Sequence, residues 1–363
     1  MTLTIEPLHI PESVDAPDAG DWLAYVDIVN EMCRADAGSD LFDGDAATWL
    51  VGIRNRAYRD AHTVVARDAA GTIVGIGNAT WERDGATTAN VDVAVRPSQR
   101  GTGIEDAIQR SLEAELRARG LRIAWSYAFV RGDGLDGLAE HELLRPSSGR
   151  GAVPRDDVSA RFMLRHGYEL GQVERASTFD LRADPSTLER TLEAALQVAG
   201  AGYEPLWWQT PTPDEHVDGY AAAVARMSTD VPSGDLAVDE TAWDAARIRH
   251  RAEAKASAGV TMAVAAVRHR PSGRIVAFNE IQVVADRTRP SENIGTLVLS
   301  EHRGRRLGTI VKCLGLLRWR ELVPSSPVVQ TFNAEENAPM LAVNEAVGFA
   351  PACWTGEWQK RLA

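Results

Sequence analysis

The order of elements in the first half of this chain recurs in the second. In the first copy, strands over His62–Arg67 (HTVVAR) and Thr72–Trp81 flank a turn at Asp68–Gly71. They lead to a strand over Asn90–Val95 and a glycine turn, RPSQRGTG. The next helix sets Ile104, Ile108, Leu112 and Leu116 on one face and stops at Gly120, ahead of a strand over Leu121–Val130. The second copy runs through Val260–Val267, a PSG turn, Arg274–Val284, Asn293–Leu299, a basic turn and a helix with Ile310, Leu314 and Leu317 inward. A strand over Val328–Phe332, a helix over Asn337–Val347 and a strand over Cys353–Gln359 complete it. Helical stretches precede each copy, around Asp21–Met32 and Ala46–Ala61, then Asp214–Met227 and Thr241–Ala258. A repeat of this length predicts two homologous α+β (mixed α/β) domains, and 363 residues exceed what one core usually serves. The expected division is residues 1–182, a helical linker over 183–202, and residues 203–363.

Composition narrows the function. Hydrophobic content of 44% with 25% charged residues is that of a globular protein, and no apolar run approaches the ~20 residues of a membrane span. The start of the sequence shows neither a basic n-region nor an apolar h-segment, so the expected location is cytoplasmic. Cys33, Cys313 and Cys353 are scattered and the histidines form no ligand pair, so neither a disulfide framework nor a metal site is expected. A formal net charge of -12 argues against nucleic acid as a partner. Yet Ser300–Arg320 carries one acid, Glu301, against six Arg and Lys. A basic turn in an acidic chain points to a small anionic ligand.

In both copies a strand runs into R-G-x-x-x and then an amphipathic helix. This aims backbone N–H groups at a helix N-terminus, where the macrodipole favours a phosphate. Arg303, Arg305 and Arg306 add charge-assisted donors. Neither the Walker loop nor the Rossmann fingerprint is present. The 131–157 loop is rich in Gly, Pro and Ser, which suits mobile surface or a lid.

The element order, the turn HRGRRLG and the later ENAPMLAVNEAVGF together resemble the GNAT superfamily of acyl-CoA N-acyltransferases, over nearly the whole chain. Order and wording resemble the actinobacterial tandem-domain group, and the two-domain plan is similar to mycothiol synthase. The resemblance implies two GNAT folds, each a mixed, mostly antiparallel sheet flanked by helices. It also implies acetyl-CoA or another acyl-CoA as co-substrate, a small-molecule amine as acceptor, and a monomer or homodimer. The family turn, Q/R-x-x-G-x-G/A, holds the coenzyme A pyrophosphate. Here it falls on Arg303, Gly304, Arg305, Arg306, Leu307 and Gly308, with Arg306 in place of the middle glycine. In the first copy Glu105 replaces the final small residue and sets a carboxylate where phosphate would lie, so that domain is expected to be degenerate.

The resemblance also places the chemistry. The fourth strand of the second copy would present Leu297, Val298 and Leu299 to the coenzyme, with the Val298 N–H toward the thioester carbonyl. Asn333, Asn337, Met340 and Asn344 would line the pantetheine arm. Asn344 stands where relatives carry a tyrosine general acid, and Met163 is its first-copy counterpart; no tyrosine follows Tyr220. The fourth strand of the second copy has no acid, so Glu280 in AFNEIQV is the candidate base and Glu292 a weaker one; an ion pair is an equal reading of Glu280. Trp207, Trp208, Trp243, Asp230, Asp235 and Glu240 are candidates for an acceptor pocket. The expected activity is N-acyl transfer in the C-terminal domain, and the alternative is a coenzyme-binding pseudoenzyme or regulator.

Overall fold

The structure is a computed structural model and describes residues 3–362. From the N-terminal side its elements are β1 (Thr4–Pro7), α1 (Gly20–Ala37), α2 (Ala46–Arg54), β2 (Arg59–Arg67), β3 (Ile73–Glu82), β4 (Thr88–Val95), α3 (Ile104–Ala118) and β5 (Ile123–Val130). A two-residue pair, β6 (Leu143–Leu144) and β7 (Val153–Pro154), precedes α4 (Val158–Arg165), β8 (Glu169–Asp180) and α5 (Ser186–Ala199). The remainder is β9 (Tyr203–Gln209), α6 (Asp214–Ala225), α7 (Met227–Asp230), α8 (Ala245–Ser257), β10 (Thr261–His269), β11 (Ile275–Val283), β12 (Ser291–Val298), α9 (Leu307–Leu322), β13 (Val328–Ala334), α10 (Ala338–Val347) and β14 (Ala350–Arg361). No helix among the described residues is long and apolar enough to cross a membrane.

The chain forms two compact units that exchange segments. The first takes the residues up to Glu174 together with Ser233–Asp239 and everything from Cys353; the second takes Arg175–Pro232 and Glu240–Ala352. The first unit therefore takes in most of the chain's last strand, with β14 antiparallel to β5 from Trp354 opposite Val130 to Arg361 opposite Ile123. The Ser233–Asp239 segment is tied into this unit by Asp239, which accepts from the amides of Thr87 and Thr88 at 2.9 and 3.0 Å.

Within the first unit, β2, β3 and β4 are antiparallel neighbours and β4 runs parallel to β5. The alternation of β3 decides its packing. Gly75 and Gly77 face α3, and a Cβ at Gly77 would lie 2.4 Å from Ile108, so only glycine lets the helix sit this close. Ile76 and Asn78 face α1 and α2. The predicted α3 stripe, Ile104, Ile108, Leu112 and Leu116, is fully buried. The 131–157 loop is pinned by the β6–β7 pair and by the buried Ala152 and Val153.

The second unit repeats the order, with β9, β10, β11 and β12 antiparallel in turn and β12 parallel to β13. One expectation changes here. Helix α9 was read as one-sided, but Leu307 to Cys313 are all buried, as are Gly315, Leu316 and Trp319. The cause is α5, the expected linker helix, which packs on α9 from the side away from the sheet; Leu188 and Leu192 share a core with Cys313, Leu316 and Trp319. A helix enclosed all round needs apolar residues all round.

Candidate functional site

The two glycine turns have nearly the same backbone. Gly101 and Gly103 adopt φ 75° and 89°, and Gly304 and Arg306 adopt 78° and 58° at the matching positions. Arg306 is the one non-glycine residue with positive φ among the described residues, so the turn keeps the left-handed conformation against the preference of its side chain. Each left-handed residue caps the following helix, α3 or α9, and neither makes a side-chain cap. The first-turn amides of α9 are then directed at the turn.

What fills the two turns differs. In the first unit Glu105 Oε1 accepts from Gly101 N at 2.9 Å, and Arg100 is bound to Asp36 at 2.7 Å. That turn holds its own carboxylate. In the second unit Gly308 replaces the glutamate, and Arg305 and Arg306 are exposed. Arg303 is engaged by the fold: its Nε donates to Val298 O at 3.3 Å and its Nη2 to Asp230 O at 2.7 Å. Asp230 in turn accepts from Ser300 N at 3.1 Å.

In both units the parallel strand pair parts after three residues. β12 pairs with β13 from Ser291 opposite Val329 to Asn293 opposite Thr331, after which the strands separate. Ile294 bulges out, since Glu280 lies opposite Gly295 and Ile281 opposite Asn293. Leu299 N donates to Val276 O of β11 at 2.9 Å, so by strand alternation the Val298 N–H points to the other edge, which β13 has left. Leu297 and Leu299 point into the core.

Across the opening, α10 begins at Asn337, whose side chain accepts from Met340 N at 3.4 Å. Asn344 is buried and donates to Asn333 Oδ1 at 2.6 Å, while its own Oδ1 is buried with no hydrogen-bond partner. The structure thus brings Asn333 and Asn344 together as an amide pair with a spare acceptor.

Glu280 stands in a closed triad. It is 4% exposed, and its Oε1 accepts from the Tyr220 hydroxyl and, at 2.7 Å, from Arg251. Burial, with the Glu280 charge beside it, keeps the Tyr220 phenol well above its ordinary range. Glu292 accepts from the side-chain amides of Gln282 and Gln330 at 2.8 and 3.4 Å. Of the acceptor-pocket candidates, Trp207, Trp208 and Trp243 pack on one hydrophobic core, while the acids have other places. Trp208 is core, Trp243 is covered by Arg247 and Arg251, Asp230 holds the turn, Asp235 belongs to the first unit, and Glu240 is exposed.

The sequence reading passed over Asp92. It lies on β4 opposite Asn78, where the second unit has Gly295 opposite Glu280, so the two units carry their strand carboxylate on different strands. Asp92 borders a cavity of about 710 Å3 within the first unit. The signal was present in NVDVAV, where Asn90 and Asp92 alternate with three valines. Among the described residues no group of three or more His, Cys, Asp or Glu is placed to hold a metal ion.

No family model and no curated protein matches the chain. Solved structures do. A tandem GNAT protein from the clavulanic acid biosynthesis pathway aligns over 100% of this chain and 99% of its own, with a TM-score of 0.74 at 21% identity. A GCN5-related N-acetyltransferase from Sphaerobacter thermophilus aligns over 99% and 96%, with a TM-score of 0.63 at 16% identity. A glucosamine N-acetyltransferase region of a fungal multi-domain GH3 beta-N-acetylglucosaminidase aligns over 99% of this chain and 38% of that one, with a TM-score of 0.59 at 15% identity. With the repeated turn and the paired parting strands, these likenesses establish that the chain has the tandem GNAT fold.

Proposed function

We propose that the protein is an acyl-CoA-dependent N-acyltransferase acting on a primary amine of a small molecule, with the coenzyme held by the Arg303–Gly308 turn of the second unit. The observation that carries this reading is the contrast between the turns. Both have the left-handed geometry of an anion site, but only the first is filled by its own carboxylate. Arg305 and Arg306 supply the charge for a pyrophosphate, and the α9 amides supply the dipole. The buried Asn344 Oδ1 fits an amide N–H of a pantetheine arm, since an unpaired buried acceptor is costly until it finds a donor. Acetyl-CoA or a similar thioester supplies an activated acyl carbon. An amine attacks it, the thiolate leaves, and the amine proton passes to solvent or a base. The Val298 N–H is the donor for the carbonyl oxygen.

A second reading is a coenzyme-binding protein without turnover. It is favoured by the Glu280 triad, which leaves the candidate base engaged by Tyr220 and Arg251. Free-thiol release from acetyl-CoA in the presence of amino acids, polyamines and amino sugars separates the two. Acyl transfer to any amine supports the enzyme. Calorimetric binding without acyl transfer supports the second reading, and absence of coenzyme binding defeats both.

A further inference from the structure

Asn293 and Thr296 stand at a spacing on β12 that sets side chains on opposite faces of a regular strand. The bulge at Ile294 adds one residue between them, so both turn to the α9 face, where Asn279 of β11 also lies. Asn279 Nδ2 donates to Asn293 Oδ1 at 2.7 Å and to Thr296 Oγ1 at 2.8 Å. Asn293 Nδ2 donates to Glu280 O across the ladder and to Gly295 O on its own strand, both at 3.0 Å. Lys312, in the second turn of α9, closes the cluster: its Nζ donates to Asn293 Oδ1, with the Phe349 ring centre 4.9 Å away.

This cluster opposes folding in two ways. Asn279 and Lys312 are fully buried, and Asn279 Oδ1 has no hydrogen-bond partner. Gly315 of α9 leaves room for that carbonyl, since a Cβ there would lie 2.5 Å from it. A buried amine and a bare buried carbonyl both cost stability. Groups of this kind persist where they hold one arrangement that apolar packing would leave free.

Among its described residues the first unit has neither the cluster nor the bulge. There β3 and β4 pair without a register shift from Gly75 opposite Val95 to Thr80 opposite Asn90. Counted from the two turns and across the ladders, Gly77 stands for Asn279, Val93 for Thr296 and Gln109 for Lys312. Gln109 donates to Glu113 and to the Tyr168 hydroxyl, and Asn90, the counterpart of Asn293, donates to Asp92. The bulge and its bonds thus occur in the unit whose glycine turn is open.

We propose that Lys312 and Asn293 are positioning residues for acyl transfer: with Asn279 and Thr296 they lock the β12 bulge, and so fix the Val298 N–H relative to the turn at the head of α9. One helix then sets both ends of the thioester. Its first turn holds the pyrophosphate and its second turn holds the bulge. The inference rests on the acyl-transfer reading of the second unit, but the lock has a readout that needs no turnover.

The test uses the full chain with Lys312→Met, Thr296→Val and Thr296→Ser, each checked for folding by circular dichroism. Valine removes the Thr296 hydroxyl and keeps the branching, whereas serine keeps the hydroxyl. Without ligand, Lys312→Met and Thr296→Val should speed amide hydrogen exchange over Ile294–Val298 by about tenfold, with β10 as in wild type and Thr296→Ser near wild type throughout. In acyl transfer the first two variants should lose kcat on the order of tenfold to a hundredfold, with acetyl-CoA affinity within about twofold of wild type. Unchanged β12 exchange in both, or faster exchange spread over the whole second unit, would overturn the lock. Faster exchange confined to β12 with kcat unchanged would overturn the positioning role. If the wild-type chain acylates no amine, the acyl-transfer reading fails and the exchange pattern alone decides the lock. Should Lys312→Met not fold, the Thr296 pair decides.

Discussion

Glu105 Oε1 accepts the Gly101 amide at 2.9 Å, so the anion in the first unit's glycine turn is a side chain four residues further along. Its Oε2 is buried and has no hydrogen-bond partner. The carboxylate that blocks a phosphate is thus itself half-satisfied. Acetyl-CoA should bind the wild-type chain with a stoichiometry of one, and Glu105→Ala should add a second, weaker equivalent. Two equivalents in the wild type, or one in both proteins, would show that this side chain is not what separates the units.

Arg306 tests the other turn. A non-glycine residue in the left-handed region costs about 1 kcal/mol, and glycine there gives back a similar amount of unfolded-chain entropy. Arg306→Gly should therefore leave urea-unfolding stability within about 1 kcal/mol of wild type. Coenzyme affinity should fall roughly tenfold through the lost charge, with a weaker salt dependence. A large loss of stability would mean that the guanidinium, and not the backbone, holds the turn.

Arg303 behaves differently because its donors are spent on the Val298 and Asp230 carbonyls. Arg303→Ala should lower stability by about 1 kcal/mol and weaken the coenzyme, whereas Arg305→Ala, which loses one 3.3 Å bond to Glu301 O and a contact over the Tyr203 ring, should cost less stability and weaken the coenzyme. Equal melting temperatures for the two variants would contradict this division.

These cases show what the sequence makes legible. The turn, the strand before it and the α3 stripe are local patterns, and all were readable. Asp92 was legible as an alternating polar residue, but a polar strand face is normally solvated. That α1 and α2 cover it is a tertiary fact. The Tyr220 and Arg251 partners of Glu280 are 60 and 29 residues away in the chain, and the Asp239 contacts to Thr87 and Thr88 span about 150. No periodicity encodes pairings at such separations. The all-round burial of α9 failed for a related reason, since a segment that reads as a linker supplies its outer cover.

The Glu280 triad separates a base from a structural ion pair. Glu280→Gln leaves the Arg251 guanidinium largely enclosed without its counter-charge, and breaking a buried pair on one side costs about 3–5 kcal/mol. Denaturant unfolding should show a loss of that order. If Glu280 is structural, the pH dependence of any acyl transfer should keep its shape in folded protein. Loss of its acidic limb with stability intact would instead make Glu280 the base.

Lys312 supplies a prediction about pH. It is fully buried on α9, its Nζ donates to Asn293 Oδ1, and it lies 4.9 Å from the Phe349 ring centre. Burial brings the amine down to about 7, from an ordinary value of 10.5 in the unfolded chain. Between these two values the unfolded chain binds the proton and the folded protein does not. Protons therefore favour unfolding across that window, and stability should rise with pH at up to about 1.4 kcal/mol per unit. Below the folded value both states are protonated and the penalty is constant. Lys312→Met, close in length and without the charge, should flatten the rise and stabilise the protein most near and below neutral pH. Urea unfolding from about pH 6 to pH 10 reads both effects. An unchanged slope in Lys312→Met would mean that the amine is not neutral in the folded protein, and that the Asn293 carbonyl satisfies it as an ammonium.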